Sequence, residues 1–349
     1  MLRNAKKDID LIALQHNFQC IQQLAPHSKI MVMLKAHAYG HGDIAIANTL
    51  SRADAFGVAH LNEALRLREA GIRTPITIFS GYLTPDQLPL LVENHIQWVI
   101  HAMWQVELLQ KTTLHQPLSV WLKLDTGMHR LGFTPHTAPI AWQALQQCRT
   151  VQKPIPLMTH FACADEPTHP ATAQQITLFQ QITQAWPGAR SLANSAGILA
   201  WPTTHADWIR PGLMIYGISP FAGKTGADHG LKPVMRLKAP LIARHDCAAG
   251  DTIGYGSTYT CPQAMPVGVI GIGYGDGYPR HAPSGTPVYL NGQIVPLIGR
   301  VSMDMITVDL SNTPNACIGD EAVLWGPELP VEIISQKTGV LTYELLTHT

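Results

Sequence analysis

The feature that most constrains the fold is the alternation, before about residue 215, of eight short β-branched runs with longer segments of helical periodicity. Strands that alternate with helices pair in parallel, because each helix returns the chain to the edge where the previous strand began. Eight such strands close naturally into a (β/α)8 barrel of the TIM type. The predicted strands are Ile30–Leu34, Ala55–Ala59, Pro75–Phe79, Gln97–His101, Leu118–Leu124, Ile155–His160, Ser191–Asn194 and Trp208–Ile215.

Local signals predict several of the intervening helices. Thr84 and Pro85 are typical of an N-cap followed by the first helical position, and Gly71 is typical of the residue after a helix end. Ala171–Trp186 repeats apolar residues at helical spacing, as expected of an outer helix of a barrel.

After about residue 230 the pattern changes to short alternating runs separated by Gly and Pro, with helical periodicity only in roughly the last twenty residues. This pattern predicts a smaller, mainly-β domain. We therefore expect a barrel over residues 1–230 and a β domain over residues 231–349, with the Gly- and Pro-bearing segment Gly217–Gly230 as the linker. The predicted β runs are Val267–Ile272, Pro287–Leu290, Ile294–Leu297, Met305–Leu310 and Ala322–Trp325.

Composition excludes several classes of function. Lys plus Arg number 24 and Asp plus Glu also number 24, so the chain lacks the positive field that nucleic acids or anionic membranes attract. No uncharged apolar run reaches the roughly 18 residues of a membrane helix, and the charged start of the chain lacks the apolar stretch of a secretory signal. Six scattered cysteines form no C-x-x-C pair and no metal-ligand spacing. We expect a cytoplasmic protein with reduced thiols and without a metal.

Reactive side chains recur where the predicted barrel strands end. Lys35 ends the first strand, Lys123 lies near the end of the fifth, and His160 ends the sixth. Ser195 follows the seventh strand and Arg210 lies in the eighth. Because the loops after the strands of a (β/α)8 barrel all open on one face, these five residues predict an active site there.

Lys35 ends a buried apolar strand, where desolvation lowers the pKa of an amine and favours its neutral form. A neutral lysine amine forms Schiff bases with carbonyl compounds. The alternative is a lysine that extends out of the barrel mouth into water. The neighbouring residues favour a site, because Gly40 and Gly42 permit close backbone approach and the Tyr39 hydroxyl suits a phosphate oxygen.

The segment K-A-H-A-Y-G-H-G over residues 35–42 resembles the cofactor-lysine signature of alanine racemase, a fold-type-III pyridoxal-phosphate (PLP) enzyme, with His37 where Asn is usual. The resemblance covers nearly the whole chain in order. It continues through V-A over 58–59, E-A over 63–64, L-R-E-A-G over 67–71, K-L-D-T-G-M-H-R-L-G-F over 123–133, T-H-F-A-C-A-D over 159–165, A-N-S-A over 193–196, R-P-G over 210–212, Y-G over 216–217, G-Y-G over 254–256, G-Y-G-D-G-Y-P-R over 273–280, G-R-V-S-M-D over 299–304 and Y-E over 343–344.

The resemblance implies a PLP-dependent racemase that interconverts L-alanine and D-alanine and acts as a homodimer with composite sites. Lys35 would bind PLP and act as the base on one face of the substrate Cα. Racemisation needs a second base on the opposite face, and this role matches Tyr255 of the partner subunit. Without the resemblance, Tyr255 between two glycines is an ordinary turn aromatic.

The resemblance gives Arg210 and His160 linked roles. Both would help Tyr255 to act as a base, because a phenol with a pKa near 10 needs nearby positive charge or hydrogen-bond donors. Arg210 would also face the pyridine nitrogen of PLP, and since a guanidinium only donates, that nitrogen would stay unprotonated. His160 would stack on the cofactor ring. The alternatives are a rim arginine and a hydrogen-bonded core histidine.

Phosphate contacts, by the same resemblance, would come from hydroxyl groups and backbone amides, which suit a dianion. Ser195 alone is weak evidence, because a serine after a strand often caps the next helix. The implied contacts are Tyr39, Ser195, Tyr343 and the amides of Gly212 and Leu213.

At the substrate end, Arg130 matches an arginine near the substrate carboxylate, and Lys123 matches a lysine often found carbamylated beside it. The alternative for Lys123 is a salt bridge to Asp125 or to another carboxylate. The partner's substrate contacts match the Met303 amide and Asp304. Tyr274 and Tyr343 match tyrosines that narrow the entrance to favour a methyl side chain.

Two other classes of function remain open: a different enzyme of this fold type and a binding protein. A racemase of broader specificity or a fold-type-III decarboxylase would share the barrel, but a decarboxylase would place a carboxylate rather than Arg210 at the pyridine nitrogen. A non-catalytic PLP-binding protein would keep Lys35 and use no second base. Whether the D-alanine serves cell-wall synthesis or is degraded is also open.

Overall fold

A computed structural model describes residues 4–349. Residues 1–3 belong to the charged start in which the sequence predicts no secretory signal, and they lie outside the described residues.

Eight parallel strands close into a barrel, which confirms the predicted fold class. Neighbouring strands pair in chain order, and the last pairs with the first through Trp208 beside Lys29. The eighth strand is shorter than predicted because Pro211 lacks an N–H group to continue the ladder, and Leu213–Tyr216 forms a 3-10 helix. The barrel strands are β2 (Lys29–Met33), β3 (Ala55–Val58), β4 (Ile76–Ile78), β5 (Ile96–Ile100), β6 (Val120–Lys123), β7 (Leu157–Met158), β8 (Arg190–Ser191) and β9 (Trp208–Ile209).

Helices surround the barrel, and several of the local signals are confirmed. Thr84 caps a 3-10 helix that begins at Pro85 and leads into the next α-helix. Gly71 follows a helix end with φ of +84°. The helices are α1 (Leu11–Leu24), α2 (Lys35–Tyr39), α3 (Asp43–Thr49), α4 (Leu61–Glu69), α5 (Leu88–Glu93), α6 (Met103–Lys111), α7 (Ala138–Gln147), α8 (Ala171–Thr183), α9 (Ser195–Ala200), α10 (Val331–Thr338) and α11 (Thr342–His348).

The inside of the barrel is packed with side chains. Met31, Val99 and Met158 are buried there beside Trp121. The indole Nε1 of Trp121 donates to Gln97 Oε1 at 2.7 Å, so the buried polar groups are paired. This packing closes the barrel interior, so that a cavity can open only beyond it.

The C-terminal region forms an antiparallel sheet in which β1 (Lys6–Ile9) is also paired, to β10. The order of the other strands is β15 (Gln293–Pro296), β14 (Pro287–Leu290), β17 (Glu321–Trp325), β10 (Met235–Cys247), β13 (Met265–Ile270) and β16 (Ile306–Asp309). The longest strand, β10 (Met235–Cys247), was not predicted because Pro240 and several charged residues interrupt its apolar pattern. Two further strands, β11 (Thr252–Ile253) and β12 (Tyr259–Thr260), form a separate pair.

The segment predicted as a linker is held by hydrogen bonds. Glu332 of α10 is buried, and its Oε1 accepts from the N–H groups of Ser219 and Gly226 at 2.9 and 2.8 Å. Burial raises the pKa of Glu332, and these two hydrogen bonds oppose that effect. The segment 217–230 is therefore fixed to the C-terminal helices.

Within residues 4–349, no helix combines the length and the apolar character needed to cross a membrane. All six cysteines are free. In the same residues no group of three His, Cys, Asp or Glu side chains is arranged to hold a metal ion.

Candidate active site

A cavity of about 520 Å³ opens where the barrel strands end, and it brings together most of the predicted site residues. Four of its lining side chains are cationic, and among the lining residues of the described chain none is a carboxylate. Such a cavity attracts anions. The predicted residues that line it are Lys35, Tyr39, Lys123, Arg130, His160, Ser195, Arg210, Gly212, Leu213 and Tyr343.

The backbone after Lys35 is left-handed. The residues from Ala36 to Tyr39 all have φ between +52° and +56°, although none is a glycine. Left-handed geometry costs an L residue roughly 1–2 kcal/mol, so this turn persists only because its surroundings hold it. As a result Lys35 and Tyr39 face the same cavity, and Lys35 Nζ lies 6.0 Å from the centre of the Tyr39 ring.

Lys35 lines the cavity and remains exposed to water. Burial lowers its pKa, the charge of Arg130 lowers it further, and the Glu63 carboxylate opposes both. Glu63 also accepts from the N–H of Ala36 with Oε1 and from the N–H of Ala59 with Oε2, each at 2.7 Å. The neutral form of the amine is therefore more accessible than that of a free lysine.

Arg210 is buried, and its described hydrogen-bond partners are neutral. Its Nη1 donates to Ser191 Oγ at 2.6 Å, and its Nη2 donates to the carbonyl oxygens of Thr159 and Leu192 at 2.6 and 3.1 Å. Burial lowers its pKa to about 10, so the group stays charged at neutral pH. The guanidinium is thus fixed in place without a carboxylate.

His160 lies against Arg210, with Nδ1 of the imidazole 3.4 Å from Nη2 of the guanidinium. Because a guanidinium can only donate, Nδ1 accepts and the ring proton is on Nε2. Burial lowers the pKa of His160 well below its usual value, and the charges of Arg210, Lys123 and Arg130 add to this effect. The imidazole is neutral at physiological pH.

Lys123 ends β6 and is almost completely buried. Burial lowers the pKa of Lys123 to about 8, with further lowering by Arg210, Arg130 and Lys35. Asp125 opposes the shift, but no ion pair joins the two side chains in the described chain. The salt bridge to Asp125 considered from the sequence is therefore wrong, and Lys123 presents a partly neutral amine to the cavity.

The loop that carries Arg130 is shaped by Asp125. One carboxylate oxygen accepts from the N–H groups of Gly127, Met128 and His129 at 3.0–3.1 Å. This turn places Arg130 at the cavity wall.

At the opposite wall, Ser195 accepts two backbone hydrogen bonds. Its Oγ lies 3.0 Å from the N–H of Gly212 and 3.3 Å from that of Met214. Asn194 caps α9 through its side chain, so the interpretation of Ser195 as the cap is wrong. A Cβ at Gly212 would lie 2.7 Å from the Tyr39 hydroxyl oxygen, which explains a glycine there. The hydroxyl-bearing residues Tyr39 and Ser195 therefore line the cavity beside the start of the 3-10 helix at Leu213.

Four predicted site residues do not line this cavity: Tyr255, Tyr274, Met303 and Asp304. Tyr255 lies in the 3-10 turn Tyr255–Ser257 and is 69% exposed, and Met303 is 55% exposed. Tyr274 and Met303 are neighbours, because the N–H of Gly275 donates to the Met303 carbonyl at 2.8 Å. These residues face outward from the C-terminal sheet region.

His37, which stands where the related signature has Asn, is also outside the cavity. Its side chain is 68% exposed and lies 4.0 Å from Asp43 and 3.5 Å from Arg66. These described contacts join His37 to Asp43 and Arg66, on the outer side of the turn, and not to Lys35.

Sequence reasoning missed the residues that shape the left-handed turn. Glu63, His41 and Tyr216 all contact it or the strand before it. Each lies in a segment that carried the resemblance, but nothing in residue type or spacing identified a role.

Comparisons with known proteins agree along the whole chain. The family model described as Alanine racemase, N-terminal domain, matches residues 9–220, and Alanine racemase, C-terminal domain, matches residues 234–349. An alanine racemase of Shewanella loihica is 51% identical over 335 residues, covering 96% of this chain and 94% of that protein. One of Yersinia pestis is 50% identical over 347 residues, covering 99% and 97%.

Solved structures agree as well. The biosynthetic alanine racemase from Pseudomonas aeruginosa superposes with a TM-score of 0.95 at 41% identity, covering 99% of this chain and 97% of that one. The alanine racemase from Acinetobacter baumannii gives a TM-score of 0.92 at 41% identity, with the same coverage.

Proposed function

The chain belongs to the alanine racemase family, a family of isomerases, and from that membership we propose that it interconverts L-alanine and D-alanine with PLP as cofactor. The observation that carries the proposal is the cavity at the mouth of the barrel, which is lined by four cationic side chains and by the hydroxyl-bearing residues Tyr39, Ser195 and Tyr343. An anionic cofactor and an amino-acid carboxylate both suit such a cavity.

The donor set fits PLP. Tyr39, Ser195, Tyr343 and the amides of Gly212 and Leu213 would hold the phosphate, and Lys35 would hold the aldehyde carbon covalently. When bound, PLP supplies an electron sink that acidifies the α-hydrogen of an amino acid. The lowered pKa of Lys35 supports its assignment, because a neutral amine is the form that reacts with a carbonyl group.

Arg210 favours racemisation over decarboxylation. A decarboxylase of this fold type is expected to place a carboxylate opposite the pyridine nitrogen, whereas the proposed group at that position is Arg210, which is held by neutral partners. Because a guanidinium only donates, Arg210 would leave that nitrogen unprotonated and so make PLP a weaker electron sink. We infer that the weaker sink limits side reactions.

We propose a two-base mechanism. Lys35 Nζ takes or returns the α-hydrogen on one face of the substrate, and Tyr255 Oη of the partner subunit does so on the other. The exposure of Tyr255 and its absence from the cavity of its own chain support a contribution to a second copy. His160 and Arg210 would supply the hydrogen bonding and positive charge that a tyrosine base needs.

Substrate contacts complete the proposal. Arg130 would pair with the substrate carboxylate, and the Met303 amide with Asp304 of the partner subunit would hold the same end. Tyr274 and Tyr343 would narrow the entrance. Both tyrosines are about two-fifths exposed, which suits an entrance position.

Lys123 is proposed to be carbamylated. Its neutral amine would add to CO2, forming an N–C bond and releasing a proton, and the resulting anion would pair with Arg130. The pKa of about 8 supports a reactive amine at neutral pH, and the surrounding cations favour an anion there.

We further propose a functional division of the chain near residue 230. Residues 1–230 would bind the cofactor, with Tyr343 as an added contact, and residues 231–349 would supply Tyr255 to the partner subunit. Free cysteines throughout suit a reducing compartment, and we propose a cytoplasmic enzyme.

Borohydride reduction followed by peptide mapping tests the site. The purified protein should absorb in the PLP region and lose that absorption on reduction. Peptide mapping should then find the reduced pyridoxyl group, which serves as the label, on Lys35. Lys35→Met should lose the label, while Lys29→Met, at the other end of β2, should keep it. Label on another lysine would contradict the assignment. A circular-dichroism assay with L-alanine and larger L-amino acids then separates an alanine racemase from one of broad specificity.

A further inference from the structure

His41 lies directly after the left-handed turn and contacts its carbonyl side. Nδ1 of His41 lies 3.1 Å from the Ala38 carbonyl oxygen and 2.8 Å from that of Tyr39. Both partners only accept, so Nδ1 carries a proton and donates to them. In the described chain Nε2 has no hydrogen-bond partner, which is consistent with an unprotonated nitrogen.

The ring of His41 is fixed by packing. It is 3% exposed and stacks on Tyr216, with the ring centres 4.4 Å apart. The hydroxyl of Tyr216 donates to the carbonyl of Met33 at 2.8 Å, two residues before Lys35. His41 and Tyr216 therefore connect the chain just before Lys35 with the end of the turn that follows it.

The charge environment keeps the ring neutral. Burial lowers the pKa of His41 to about 4, and the charge of Lys7 lowers it further, against the two carbonyl contacts. Lys7, from β1, donates to the carbonyl of Gly40 at 3.0 Å, so it holds the same segment from outside. Asp43, on α3, is the other charged group of this segment and is paired with Arg66.

We propose that His41 is a positioning residue, whose neutral Nδ1–H ring holds the turn Ala36–Tyr39 in its left-handed form and thereby fixes Lys35 relative to Tyr39. His41 itself does not line the cavity. The inference rests on the proposed function, in which Lys35 and Tyr39 hold opposite ends of the cofactor. If the turn relaxes towards right-handed geometry, the two side chains no longer face the same cavity.

Two substitutions separate the N–H donor from the ring. His41→Asn keeps a side-chain N–H at the δ position, and His41→Phe keeps a ring that stacks on Tyr216 but removes the donor. We expect PLP affinity and Lys35 labelling within about threefold of the natural protein for His41→Asn. For His41→Phe we expect PLP affinity and kcat to fall about 10-fold to 100-fold, with a smaller change in KM, because misplacing a reacting group costs about that much.

The proposal is overturned if both variants bind PLP like the natural protein, or if both lose the same amount of PLP affinity. If His41→Phe unfolds at the assay temperature, the 15N spectrum of the natural protein decides, and a proton on Nε2 overturns the proposal. That spectrum of the natural protein is a second test, and it should show a neutral ring with its proton on Nδ1 from pH 6 to pH 9. Failure of the proposed function is distinguishable from these outcomes, because in that case the natural protein itself would carry no label on Lys35 after borohydride reduction.

Discussion

The barrel and the C-terminal sheet present their predicted site residues in opposite ways. In the barrel, the side chains at the strand ends converge on one cavity, joined by Tyr343 from α11. In the sheet region, Tyr255 and Met303 point to solvent and take no part in that cavity. The barrel cavity thus contains Lys35, proposed as one base, and the sheet region carries Tyr255, proposed as the other base, exposed and outside that cavity. This difference is what a composite site between two copies requires.

Removing the phenol is the strongest test of the comparison. Tyr255→Phe deletes one oxygen from an exposed side chain, so the fold should be unaffected. We expect racemisation to fall about 10²- to 10⁴-fold, the usual contribution of a positioned acid or base, while the PLP absorption and the Lys35 label stay unchanged. Circular dichroism with L-alanine measures the rate. A non-catalytic PLP-binding protein would show no racemisation before or after the substitution.

Mixing two inactive variants sharpens the same comparison. If each site takes Lys35 from one copy and Tyr255 from the other, a mixed dimer of Lys35→Met and Tyr255→Phe chains contains one intact site. Random exchange should then restore about a quarter of the natural activity in a two-fold symmetric dimer. No recovery after confirmed exchange would place both bases in the same chain.

The two regions also differ in how far the sequence predicts them. The barrel follows from a pattern that each strand repeats, so all eight strands were located although their ends were not. In the sheet, β10 was missed because Pro240 and several charged residues make its local sequence unfavourable for a strand. Its pairing with β13, β17 and β1 stabilises the strand despite them. Tertiary pairing of this kind is not visible in a local pattern.

At the site, residue types and their positions after strands predicted which side chains meet. The backbone that positions them was not predicted, because four left-handed residues without glycine contradict local preference. Glu63, from another segment, accepts a hydrogen bond from the N–H of Ala36. His41 contacts the Tyr39 carbonyl with a ring whose orientation is set by stacking on Tyr216. The sequence therefore predicts which side chains meet at the site better than it predicts the backbone conformation that positions them.

A lysine in each region should affect stability with opposite sign. Burial lowers the pKa of Lys123 to about 8 from 10.5, so the folded state is penalised while the amine is charged. Below pH 8 the full cost applies, and between about pH 8 and 10.5 it disappears because the unfolded chain still holds the proton. We expect Lys123→Met to raise the free energy of unfolding by about 3 kcal/mol at pH 7 in CO2-free buffer, and this gain to shrink by about 1.4 kcal/mol per pH unit above pH 8.

Lys238 of the sheet is the control. Its hydrogen bonds to Asp8 and Glu321 raise its pKa, so its charge stabilises the fold below pH 10.5 and that contribution is lost at higher pH. Lys238→Met should therefore lower stability, by less than about 1 kcal/mol for a pair near the surface. Urea unfolding across pH 7 to 10 measures both variants. A pH-independent gain in Lys123→Met would contradict the assigned cause, and bicarbonate should reduce the gain if the amine is carbamylated.

The smallest expected effect concerns His37, within the left-handed turn itself. His and Asn are both tolerated in left-handed geometry, and the contacts of His37 with Asp43 and Arg66 are exposed. His37→Asn should therefore leave kcat/KM within about twofold and change stability by less than about 1 kcal/mol. His41→Phe, four residues further along, is the matched comparison, because the same chemical type is buried there and bound to the turn. A tenfold loss in His37→Asn would mean that the outer side of the turn also controls Lys35, and that burial does not separate the two histidines.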